Sequence, residues 1–107
     1  MYQPMFERDL LYPATNLLEP GSVHVSVLKP DIQGRLPIFI TPKTMHNPFE
    51  YVDILVSIIQ ADIFDRTRID IKTQGIFFFR IKDNEYIKLI YQDGKQIVEK
   101  SKGIIDE

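Results

Sequence analysis

No cysteine occurs among the 107 residues. That absence removes disulfides, thiolate zinc sites, iron–sulfur ligation and thiol nucleophiles together, and it agrees with a reducing compartment, so a cytoplasmic protein is expected. The opening residues, Met1-Tyr2-Gln3-Pro4-Met5-Phe6-Glu7-Arg8-Asp9, contain no basic segment ahead of an apolar run and no small-residue cleavage site, so secretion is not expected. Long apolar runs are missing too. The longest, residues 54–59 and 76–79, fall far short of the roughly 20 residues that span a bilayer. A basic excess is lacking, since 13 Lys and Arg stand against 15 Asp and Glu for a net charge of −2. The broad positive field that supports generic nucleic-acid or anionic-membrane binding is thereby excluded, and any such binding has to be local. No repeat period or low-complexity tract appears.

Catalytic and metal signatures are equally sparse. His24 and His46 are the only histidines, and neither has a histidine or cysteine at i+3 or i+4 to complete a metal site. A histidine with a carboxylate such as Asp31 or Asp53 would make an acid/base pair, but no spacing brings them together. Asp62, Asp65 and Asp70 lack the alternating oxygen ligands and sharp-turn glycine of a calcium loop and read as a solvated helix end. Ser26 and Ser57 lack a nucleophile-elbow glycine context, and Gly34 and Gly94 read as turn glycines rather than a phosphate cradle. No cofactor and no metal are expected.

What is present is ordinary globular composition, 44% hydrophobic and 26% charged, in a chain of the length of one domain. Residues 1–107 are read as a single domain. Residues 1–20 carry Pro4, Pro13 and Pro20 without a sustained period, yet Leu10-Leu11-Tyr12 and Leu17-Leu18 are too apolar for a solvated tail, which suggests an extended arm that docks on its own domain or on a neighbouring subunit.

Val23, Val25 and Val27 alternate with His24, Ser26 and Leu28, the period of a half-buried strand. Residues 36–41 read as its hairpin partner, completing a hairpin over 22–41, and Pro37, which donates no ladder hydrogen bond, argues for a sheet edge. Asn47-Pro48-Phe49-Glu50 combines an N-cap side chain, a proline at the first helical position and a carboxylate at N3. The expected helix covers 48–64. Its apolar stripe is Phe49, Val52, Val56, Ile59 and Ile63, against Glu50, Asp53, Ser57 and Gln60, and Tyr51, Ile54, Leu55 and Ile58 widen the stripe toward a second contact along one flank.

A three-stranded meander is expected over 69–100, with strands at 75–82, 86–92 and 95–100. Asp93-Gly94 is a two-residue hairpin turn that sets Tyr91 opposite Gln96, Leu89 opposite Val98 and Lys88 opposite Glu99. A two-residue Asp83-Asn84 loop would mix the faces, so a three-residue 83–85 loop is preferred, placing Phe77, Phe79 and Ile81 opposite Tyr91, Leu89 and Ile87. The expected fold is therefore α+β: a five-stranded antiparallel sheet in the order ββαβββ, one long helix on one face, and an extended N-terminal arm. The element order resembles the sheets of profilin-like, longin-like and PAS-like modules at the level of topology, without a motif to carry residues over.

One helix covers one side of such a sheet. The other side would carry Ile76, Phe78, Arg80, Lys82, Tyr86, Lys88 and Ile90, with Arg80 and Lys88 directly opposite each other, a like-charge conflict that points to a partner. The function this suggests is a small non-catalytic interaction protein, homodimeric, contacting its partner through Phe78, Arg80, Lys82, Tyr86, Lys88 and Ile90 or through the helix flank of Tyr51, Ile54 and Ile58. The alternative is single-stranded nucleic acid stacked on Phe78 or Tyr86 with its phosphates held by Arg80, Lys82 and Lys88. A second alternative is an enzyme with a histidine/carboxylate site. No membrane association is expected.

Overall fold

The computed structural model describes residues 4–13, 20–43, 48–82 and 85–102. Six strands form one sheet: β1 (Pro4–Tyr12), β2 (Gly21–Leu28), β3 (Leu36–Pro42), β4 (Gly75–Lys82), β5 (Glu85–Gln92) and β6 (Lys95–Lys102). They lie side by side in chain order. Between β3 and β4 the chain makes a 3-10 turn (Pro48–Tyr51), the main helix α1 (Val52–Thr67) and a short α2 (Ile71–Gln74). The α+β class with one sheet and one main helix agrees with expectation.

Two parts of that expectation are corrected. The sheet has six strands because residues 4–12 of the expected docking arm form a strand that pairs with β2 at the sheet edge. Arg8, Leu10 and Tyr12 point to the helix side, where Leu10 and Tyr12 are buried and Arg8 reaches Asp62 of α1 at 2.8 Å. Tyr12 also packs on Tyr51, ring centroids 5.4 Å apart, so this strand supplies the partner that the widened helix flank requires. Gly21, its register partner, leaves room for the Tyr12 ring, which would overlap any Cβ placed there. Leu11 of the expected arm stays exposed, and Leu17 and Leu18 lie outside the described residues.

The sheet is also mixed. β3 and β4 are parallel neighbours, with Ile38 beside Phe77 and Ile40 beside Phe79. A parallel pair needs a long crossover, and the helical segment between the strands provides it. Consequently β3 is interior, not an edge. Pro37 is tolerated there because the ladder with β2 begins one residue later, at Ile38 opposite Val27.

The β5–β6 register matches expectation throughout, including Lys88 opposite Glu99 and Tyr91 opposite Gln96. Its turn holds Asp93 at φ 54° and Gly94 at φ 79°, the positive angles of the favoured hairpin turn. The β4–β5 register differs. Lys82 pairs with Glu85, and a bulge between Arg80 and Lys82 then moves the ladder by one residue, so that Phe77 faces Leu89 and Phe79 faces Ile87. The bulge leaves Ile81 as the extra residue and restores the uniform apolar face that a regular two-residue loop would have lost.

α1 starts through the 3-10 turn at Pro48 and runs three residues past the expected end. The Asn47 cap lies outside the described residues. The helix stops at Arg68, which takes a left-handed conformation and donates its backbone N–H to the Phe64 carbonyl at 2.9 Å. Asp70 then caps α2, accepting from Lys72 N at 3.0 Å, so residues 71–74 of the expected meander are helical. Leu55, Val56, Ile59 and Ile63 of α1 pack on Val23, Val25, Val27, Ile38, Ile40, Phe77, Phe79 and Leu89 to form the core. No helix among the described residues is long and apolar enough to cross a membrane.

Candidate functional site

The sheet face away from α1 carries a second apolar cluster. Ile76, Phe78 and Tyr86 are its buried members, and Phe39 and Ile90 pack against them. Phe39 and Phe78 sit side by side across the parallel β3–β4 pair and stack at 4.8 Å, and Tyr86 meets both rings edge-on at 5.9 and 6.3 Å. Such offset and edge geometries satisfy the ring quadrupoles and hold the cluster in one arrangement. Phe78 keeps only 6% and Tyr86 only 8% of its surface accessible, so their faces are spent on one another rather than presented flat to solvent.

Of the residues assigned to this face from sequence, Phe78, Tyr86, Lys88, Ile90 and Arg80 do share it. Lys82 is the last residue of β4, beyond the bulge. The expected opposition of Arg80 and Lys88 is corrected, because Arg80 faces Tyr86 and Lys88 faces Phe78 on one side and Glu99 on the other. The like-charge conflict disappears because the pairing lies two residues from the expected one, one residue through the Lys82–Glu85 pair that closes the hairpin and one through the bulge. On the helix flank, Tyr51 and Ile58 pack against the core, leaving Ile54 the exposed one.

A polar network unforeseen from sequence occupies the β1–β2 side of the same face. His24 Nδ1 lies 2.8 Å from Asp9 Oδ1 and Nε2 lies 2.7 Å from Glu7 Oε1. Lys43 Nζ donates to the other Asp9 oxygen at 2.7 Å, and Ser26 Oγ donates to Glu7 at 3.2 Å. Both imidazole nitrogens thus face carboxylates, which only accept, and the arrangement is satisfied by the imidazolium. The Asp9 hydrogen bond, then that of Glu7, holds the His24 pKa above its ordinary 6.5, while Lys43 first and His24 second hold Asp9 below its ordinary value. The signal for this network was the Glu7-x-Asp9 alternation, legible only once residues 4–12 are read as a strand beside His24.

Asp9, His24 and Ser26 are the residue types of a nucleophilic triad, and Ser26 Oγ lies 3.5 Å from His24 Nε2. The chemistry does not follow. Nε2 is engaged by Glu7 at the shorter distance, and an imidazolium has no lone pair to take a serine proton. Asp31 instead turns the β2–β3 loop, accepting from the backbone N–H groups of Gln33 and Arg35, and Asp53 accepts from Gln96 at 3.1 Å; neither meets His24. His46 lies outside the described residues. Among the described residues no cluster of histidine and acids could hold a metal ion. A groove of about 720 Å³ opens at one end of the sheet, bordered by Arg35, Lys72, Tyr91 and Asp93, away from this network.

Comparison with protein-family models, curated proteins and solved structures found no match.

Proposed function

We propose that this chain is a non-catalytic interaction protein of the cytoplasm, that it self-associates as a homodimer, and that its open sheet face binds a partner protein. The observation that carries the reading is the ordered aromatic cluster of Phe39, Phe78 and Tyr86 on the face opposite the helix. An apolar, aromatic centre with charges at its margins is the composition of protein interfaces. The margins differ in charge: Glu7 and Asp9 on β1 are balanced by His24 and Lys43, whereas Arg80 and Lys88 stand on β4 and β5, so the matching surface is apolar at its centre and acidic toward β4 and β5. His24, held between two acids, is committed to structure rather than to proton transfer, which supports the non-catalytic assignment.

The mutual burial of Phe78 and Tyr86 favours protein over single-stranded nucleic acid, since base stacking needs an accessible ring face. Two measurements test the reading. Sedimentation at micromolar concentration should give a dimer, and a monomer would remove the self-association. Titration with a single-stranded oligonucleotide at low salt should show no binding; affinity that falls steeply as salt is added would replace the protein partner with nucleic acid.

A further inference from the structure

The two edges of the sheet are unlike. β1 carries Pro4 and a bulge between Pro4 and Phe6, both of which interrupt an edge as a template for pairing. β6 has neither. All eight of its residues hold a regular antiparallel register with β5, from Gln92 opposite Lys95 to Glu85 opposite Lys102. Among the described residues it has a neighbour on one side only. Such an edge presents a row of backbone donors and acceptors to any strand of matching side chains.

We infer that β6 pairs antiparallel with β6 of a second copy about a twofold axis at Ile97, joining the two sheets into one. The inference rests on the reading of the chain as a self-associating protein and assigns that association to an edge, which leaves both open faces free. Side-chain chemistry selects the axis. With Ile97 on it, Lys95 of each protomer lies opposite the partner's Glu99, giving two opposite-charge pairs. An axis at Glu99 or at Lys100 would set like charges against each other, and one at Val98 would set Ile97 against the partner's Glu99.

The rows already present in the sheet continue across this axis. Ile76, Ile90 and Ile97 are successive cross-strand partners on the open face, so Ile97 meeting the partner's Ile97 extends one apolar row through the dimer. In the next row Lys88 faces Glu99, and Glu99 would then lie between Lys88 and the partner's Lys95, in alternating sign. An axis through a residue keeps side chains of the same parity on the same face, so both helices lie on one side and both aromatic clusters on the other. The contact is isologous and closes at two copies.

A charge-complementation experiment reads this register. Lys95→Glu sets glutamates opposite one another in its own dimer, and Glu99→Lys does the same with lysines. Mixed together, the two variants regain both opposite-charge pairs. Lys95 and Glu99 are exposed, and circular dichroism of each variant checks that the fold is kept. The expected result by sedimentation is a wild-type dimer, at least a tenfold weaker association for each variant alone, and recovery in the equimolar mixture. Variants that remain dimeric alone, or a mixture that stays monomeric, would overturn the β6 assignment while leaving the self-associating reading standing. A wild-type monomer would overturn both.

Discussion

The two faces of the sheet use the same residue types to different ends. On the covered face Phe77 and Phe79 lie under α1 among Leu55, Ile59 and Ile63, sealed from water. On the open face Phe78, between them in sequence, is shielded by Phe39, Tyr86 and neighbouring strand side chains. Burial alone therefore does not separate core from surface here. The difference lies in what replaces a side chain when it is removed: a cavity under the helix, water on the open face.

Phe77→Ala should accordingly cost about 3–5 kcal/mol by urea denaturation, through lost transfer energy and a residual cavity. Phe78→Ala should cost about 1–2 kcal/mol, because solvent fills the space and the loss is confined to cross-strand ring contacts. Equal costs would make the open cluster a second core and weaken its assignment as a contact surface. Gly21→Ala should cost about 1–3 kcal/mol, since the Tyr12 ring that seals the β1 end of the covered face must move off its neighbour.

A smaller effect, with a pH signature, belongs to the β1 side of the open face. The raised pKa of His24 means that its contribution to stability is fully present below its ordinary 6.5 and is lost as pH rises through the folded-state value. Asp9, whose pKa is lowered, contributes above its ordinary 3.8 and loses that contribution as pH falls through the folded-state value. The network is therefore strongest between these limits. The stability difference between wild type and His24→Gln should be largest near pH 5 to 6 (roughly, from the ordinary carboxylate and imidazole values) and should shrink toward pH 8. A difference independent of pH would mean that His24 acts by packing alone. The smallest effect is expected at Val98, on the helix side but 48% exposed, where Val98→Thr should change stability by no more than about 0.5 kcal/mol.

Much of the fold was legible because local chemistry is unambiguous in places. The alternation of Val23, Val25 and Val27 reappears as alternating burial along β2, and Asp93-Gly94 set the β5–β6 register because few residue pairs tolerate its backbone angles. The parallel pair also left a trace. Leu36-Pro37-Ile38-Phe39-Ile40 and Gly75-Ile76-Phe77-Phe78-Phe79 are continuous apolar runs, the pattern of strands flanked and buried on both faces rather than of a half-exposed hairpin. Reading Pro37 as an edge marker obscured it. The open face was legible as residues of β4 and β5 without Phe39, which lies beside Phe78 only because β3 is interior, and the charge network was not legible, since Glu7 and Asp9 of β1 are brought to His24, and Lys43 to Asp9, from separate segments.

Sequence by itself determined which residues alternate, where the chain turns and which side of each strand is apolar, because these follow from backbone angles and side-chain period within a few residues. Tertiary structure alone decided that residues 4–12 close the sheet as a sixth strand, that β3 and β4 run parallel, and that Lys82 pairs with Glu85 and a bulge at Ile81 follows, which together move Arg80 from Lys88 to Tyr86. Those outcomes depend on which apolar faces can be buried together, a balance summed over the whole domain and visible in no single segment.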